Sequence, residues 1–93
     1  MSQPKEFNVL KDPYADRGYG FEWLDWLGTD TIVSSSWEAD PGISVLRSLK
    51  TGSITMVWLS GGSDGQTYQV RNRIVTANEL RDKRTLIVKC EQR

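Results

Sequence analysis

Three groups of residues in this sequence have types and spacing that could do chemistry. Glu22, Asp25 and Asp30 lie close together among aromatic residues, and a pair of carboxylates is what glycoside hydrolysis requires. Ser34, Ser35 and Ser36 offer hydroxyl nucleophiles, and Trp23 and Trp26 could stack on a sugar ring or anchor a protein interface. Each group lacks a necessary companion. The chain has no histidine, so the commonest general base and metal ligand is missing and the serines have no activator. Asp25, Asp30 and Asp40 do not have the tight alternation of a calcium loop. Zinc and redox sites are excluded by the missing histidine and by Cys90 being the single cysteine. The Gly61-Gly62 and Gly65 loop has neither the lysine nor the following helix of a phosphate cradle. Solvated loop acids explain the carboxylates more simply than a site does. The residues predict a protein that is not an enzyme, with no catalytic, cofactor-binding or metal site.

The elements that must position these residues are strands. Period-two alternation and β-branched or aromatic enrichment recur along the chain, with turn residues between them, and helical periodicity is nearly absent. Phe7 to Lys11 and Tyr19 to Trp23 read as short strands, the first ended by Asp12-Pro13. Leu24 to Thr31 breaks the pattern and reads as one helical turn or a bent loop. Thr31 to Ala39 alternates, and Trp37 and Val33 mark Val33, Ser35, Trp37 and Ala39 as its core face. Asp40-Pro41-Gly42 turns into Ile43 to Leu49, which forms a hairpin with Ile54 to Leu59 across Lys50-Thr51-Gly52-Ser53. Trp58 shares parity with Ile54 and Met56, and Leu59 with Val57 and Thr55; alternation does not say which set is buried. Thr67 to Thr76 places Tyr68, Val70, Asn72 and Ile74 on one face, and Leu80 to Cys90 places Leu86 and Val88 together. A glycine, a short gap and a tyrosine opening a strand, here Gly65 and Tyr68, read as a tyrosine corner. About seven strands in 93 residues predict an all-β domain: an immunoglobulin-like or fibronectin-like antiparallel β-sandwich over 7–93, preceded by a polar and flexible N-terminus over 1–6. Trp37 and Tyr68 are its structural aromatic residues.

Lys and Arg number 12 and so do Asp and Glu, which gives no reason to propose nucleic acid as a partner. The distribution is uneven: residues 1–46 sum to −5 and residues 47–93 to +5. A sandwich that interleaves its halves would blur this asymmetry, whereas a molecule that keeps it would pack head to tail with copies of itself or with a complementary partner. The polar start, Met1 to Glu6, and the absence of a run of about 18 apolar residues predict a soluble chain with no membrane partner. One thiol fits synthesis in a reducing cytoplasm.

The segments Lys11-Asp12-Pro13, Tyr19-Gly20-Phe21-Glu22-Trp23-Leu24-Asp25-Trp26-Leu27 and Asp30-Thr31-Ile32-Val33-Ser34-Ser35-Ser36-Trp37 resemble small tailed-bacteriophage virion structural proteins of the fiber-tail adaptor type. Val57-Trp58-Leu59-Ser60-Gly61-Gly62, Gly65 to Val70, Asn72-Arg73-Ile74 and Arg84-Thr85-Leu86 fit the same family. The resemblance implies an immunoglobulin-like sandwich in the virion, made in the bacterial host cytoplasm, that joins a fiber to the tail or head-tail region. It implies no catalysis, no cofactor and a symmetric multi-copy assembly whose partners are other virion proteins. It carries over no binding residues. Leu24 departs from the family, where a small polar residue is expected, and an exposed leucine there would favour burial against a partner. A capsid decoration protein is the alternative structural reading, and a carbohydrate-binding module using Trp23 and Trp26 is the alternative of another class.

Contact surfaces are expected on two segments. One is the aromatic stretch, with Trp23, Leu24, Trp26 and Leu27. The other is the last strand, read as a sheet edge, whose Arg81, Lys83, Arg84 and Lys89 would discourage indiscriminate pairing while permitting an acidic partner.

Overall fold

A computed structural model describes residues 5–92; residues 1–4 of the polar N-terminus lie outside the described residues. The alternating segments form seven strands: β1 Glu6–Lys11, β2 Arg17–Glu22, β3 Ile32–Ala39, β4 Ile43–Thr51, β5 Ile54–Gly61, β6 Thr67–Thr76 and β7 Arg81–Cys90. A single helical turn, α1 Leu24–Leu27, separates β2 from β3. The strands make two sheets, one ordered β1-β7-β6-β3 and the other β2-β5-β4. Setting β1 aside, the central order is that of the two immunoglobulin sheets, with the second, fifth and fourth strands facing the third, sixth and seventh. The domain is an immunoglobulin-like β-sandwich.

Two features depart from simple alternation. β1 runs parallel to β7, pairing Phe7 with Leu86 and Val9 with Val88, so the sandwich is not wholly antiparallel and β7 is an interior strand. In β3 the register with β6 shifts between Ile32 and Ser34. The extra residue is Val33. A bulge changes which side successive residues face, so Ile32 is buried while Val33 is 57% exposed. Val33 is therefore not a core residue, although Ser35, Trp37 and Ala39 keep their inward side.

The core combines apolar side chains with buried polar ones. Phe21, Val57, Leu59, Val70, Ile74, Leu86 and Val88 are buried. Among them runs a chain of hydrogen bonds that crosses from one sheet to the other. Trp23 Nε1 donates to Thr55 Oγ1 at 3.0 Å, and the Thr55 hydroxyl donates to Asn72 Oδ1 at 2.6 Å. Asn72 Nδ2 then donates to Ser35 Oγ at 2.9 Å and to the Ser36 carbonyl at 3.0 Å. Thr55 belongs to the three-stranded sheet, and Asn72 and Ser35 to the four-stranded one. Each buried polar group would cost about 1–3 kcal/mol if left without a partner, so the chain fixes the facing register of the sheets more sharply than apolar contact can. Trp37 stacks on Phe21, with ring centroids 5.8 Å apart and planes 5° from parallel. The Ser63 amide donates to Tyr68 Oη at 3.0 Å, tying the loop before β6 to the start of that strand.

Asn72→Leu should destabilise the domain by about 2–3 kcal/mol, because it removes the acceptor of the buried Thr55 hydroxyl and the donor to Ser35 Oγ and the Ser36 carbonyl. Val33→Ser, on the exposed bulge, should stay within about 0.5 kcal/mol. Chemical denaturation distinguishes the two, and equal losses would contradict the core described here. Asp40, at the β3–β4 turn, sits below the ordinary carboxylate range, first because the Gln69 amide donates to it at 2.8 Å and then because Arg71 pairs with it. Glu38 is lowered chiefly by its hydrogen bond from Arg71. A carboxylate depressed in the folded state contributes stability that is present above its unfolded value, about 4, and lost as pH falls through the folded value. The thermal midpoint should thus decline below about pH 4, and Asp40→Asn should make that decline shallower; an unchanged slope would remove Asp40 from the account.

Candidate protein interface

The aromatic segment turns inward. Trp23 follows β2 and caps α1, its carbonyl accepting from the Trp26 and Leu27 amides. Its own amide donates to the Ser53 carbonyl at 2.9 Å, so the indole drops between the sheets, where it is 0% exposed. Trp26 is half-buried and packs edge-on against Trp23 at 5.8 Å. Leu27 is buried. Trp23 and Leu27 are therefore core rather than contact surface, because a small sandwich needs bulk to close its end, and the tryptophan pair offers no platform for a sugar. Leu24, 56% exposed, remains outside beside Asp25.

The final strand divides its cations between two faces. Arg84 has the same parity as Leu86 and Val88, and it is 7% exposed. Its guanidinium lies 3.9 Å over the Trp23 ring and donates to the Glu22 carbonyl at 2.8 Å. Burial pulls its pKa down, against the opposing pull of Asp82, Asp25 and Glu22. Arg84 thus joins the core and is withdrawn from the contact surface. Arg81, Lys83 and Lys89 point outward. The β7 edge is not available, because β1 occupies it. The outer face of the four-stranded sheet is nonetheless basic. The register aligns Lys83 with Arg73, Arg81 with Val75 and Thr85 with Arg71, and these cations outweigh Glu38, which pairs with Arg71 and Arg73.

The carboxylates fit structure better than catalysis. Glu22 accepts from the Ser53 hydroxyl and from the Leu24 amide, and its pKa is lowered, first by the Ser53 hydrogen bond. A carboxyl held ionised is a poor general acid. Ser35 is occupied by Asn72. Among the described residues no cluster of His, Cys, Asp or Glu could hold a metal ion.

The outer face of the three-stranded sheet is the surface that alternation left undecided. Thr55, Val57 and Leu59 are buried, which sends Ile54, Met56 and Trp58 outward. On β4 the residues opposite them are Thr51, Leu49 and Arg47, and on β2 they are Glu22, Gly20 and Gly18. The two glycines make the face flat. A Cβ at Gly18 would come 2.7 Å from Trp58 Nε1, and one at Gly20 would come 3.1 Å from Met56 Cγ, so the indole and the thioether lie across β2 where side chains would otherwise stand. The Arg47 guanidinium covers the indole at 4.1 Å. Leu49 is 49% exposed, and Leu46, in the β4 register shift, and Ile54 are also exposed. The result is a tryptophan, an arginine, a methionine and three aliphatic side chains on and beside one exposed sheet face. Tryptophan and arginine are enriched in the residues that carry binding energy. The sequence signal was present, since glycines at 18 and 20 sit opposite a tryptophan and a methionine, but only the pairing of β2 with β5 reveals it.

Among curated proteins nothing matches the chain. The solution structure of the PKD domain from KIAA 1837 protein is similar over 97% of this chain and 83% of that one, at 18% identity and a TM-score of 0.47. The profile of the podophage GP4 fiber-tail adaptor protein gp77 family matches residues 11–89, from the end of β1 almost to the end of β7. This sandwich, with its flat tryptophan-bearing face and its basic face, belongs to that podophage fiber-tail adaptor family of phage structural proteins.

Proposed function

We propose that the chain is a non-enzymatic joint in the virion, connecting a fiber to the tail or head-tail region and present in several copies. The observation that carries this reading is the contrast between the outer faces of the sandwich. One presents Trp58, Met56, Leu49 and Ile54; the other presents Arg73, Arg81, Lys83 and Lys89. A joint has to hold unlike neighbours at once, and two faces of different chemistry let it do so without competition. The tryptophan face is assigned to a virion protein outside this chain's own kind, because a flat apolar sheet face with an arginine-capped indole suits a large desolvated contact. The family supports a role among phage tail and fiber proteins, and the glycan reading loses its platform with the burial of Trp23.

Tails purified from the phage that encodes the chain provide the test. Trp58→Ala and Leu49→Arg should each weaken retention of the purified domain on these tails by about 30-fold, the scale of a hot-spot residue, with the thermal transition still cooperative. Retention equal to that of the unmodified protein in both variants would overturn the assignment of this face.

A further inference from the structure

Folding interleaves the acidic and basic halves of the chain, with Glu38 and Asp40 pairing with Arg71, yet it leaves one acidic end and one basic face. The end of β2, the connection through α1 and the turn between β6 and β7 carry Glu22, Asp25, Asp30 and Glu79 at one end of the sandwich, accompanied by Lys50 and by Arg84 beneath. At its tip Leu24 and Asp25 are exposed side by side. The basic face carries the opposite charge. A groove of about 480 Å³ is floored by Val75, flanked by Ser34 and Ser36, and rimmed by Arg73, Arg81 and Lys83, with Asp82 engaged by Lys5. Arg73 reaches Glu38 only at 3.6 Å and is half-exposed. Among the described residues Arg81, Lys83 and Asp25 take part in no ion pair. One side of the molecule therefore offers a leucine next to a carboxylate, and another offers an apolar floor ringed by cations.

We infer that copies of this chain pack head to tail, the Leu24-Asp25 tip of one copy seated in the Arg73, Arg81 and Lys83 groove of the next. The inference rests on the multi-copy part of the adaptor reading and names the contact between copies. Leu24 meets the apolar floor, which removes an exposed aliphatic side chain from water, while Asp25 meets the cationic rim, which sets orientation and rejects a like-charged approach. Because the tip and the groove are different surfaces, the contact is heterologous. Repetition produces a ring if the rotation closes and a filament if it does not. An overall charge of zero does not oppose such stacking, since each contact pairs one copy's excess with its neighbour's deficit.

Sedimentation of the full chain at about 0.01 M and about 0.15 M salt, where charges are felt over about 30 and 8 Å, reads the association directly. The unmodified protein should self-associate more strongly at the lower salt. Lys83→Glu and Asp25→Lys should each weaken association about tenfold or more, since each places like charges together, and the double variant Asp25→Lys with Lys83→Glu should recover most of the loss. Both positions of change lie on exposed side chains, and retention on tails through Trp58 should be unaffected, which separates this contact from the tryptophan face. A chain that stays monomeric at low salt, single reversals without effect, or a double variant no better than the singles would overturn the inference. Loss of tail retention in Lys83→Glu without any self-association would assign the groove to a tail protein instead and overturn it as well.

Discussion

Everything about the outside of this molecule follows from the hydrogen-bond chain at its centre. Trp23, Thr55, Asn72 and Ser35 connect the residue after β2, the start of β5, the middle of β6 and the bulged β3. Each of these side chains has one acceptable position, because a slip of one residue in any strand would bury a different row and leave donors without acceptors. With Thr55 inside, Trp58 has to be outside. With Asn72 inside, Arg71 and Arg73 have to be outside, and Arg84, opposite Asn72, has to be inside. The polar chain thus selects the faces that a partner can meet.

Arg84 shows how the interior tolerates a cation. Its guanidinium is stacked on Trp23 and bonded to the Glu22 carbonyl, which supplies both a π-face and an acceptor in place of water. Lys11 solves a similar problem at the opposite end of the sandwich by donating to the Gly61 carbonyl at 2.7 Å and the Asp12 carbonyl at 3.0 Å. Both residues join the outer strand pairs to the other sheet through carbonyl oxygens. The closed ends leave the two broad faces as the places where the surfaces differ, one apolar with few charges and one rich in arginine and lysine.

The strand count and nearly every strand boundary were legible in the sequence, because period two is a local signal and turn residues mark its interruptions. What failed was phase and adjacency. Val33 reads as core until a bulge reverses it, and a bulge depends on the neighbouring strand. The last strand reads as an edge because nothing local predicts that β1 will pair with it in parallel. Arg84 could have been read correctly, since it shares parity with Leu86 and Val88, but its charge suggested the surface. Trp58 required knowledge of its partner strands, whose Gly18 and Gly20 leave the space in which the indole lies. The contact surface was therefore the least legible part, as it is fixed by pairings between distant segments.

The central claim is that this sandwich works as a joint through its two unlike faces. A reconstruction of the intact virion tests it most directly. Density for the domain is expected at the junction of fiber and tail, with the Trp58, Met56 and Leu49 face covered by a different virion protein and the Leu24-Asp25 tip of one copy against the Arg73, Arg81 and Lys83 groove of another. A domain found in the particle with both faces open to solvent would contradict it.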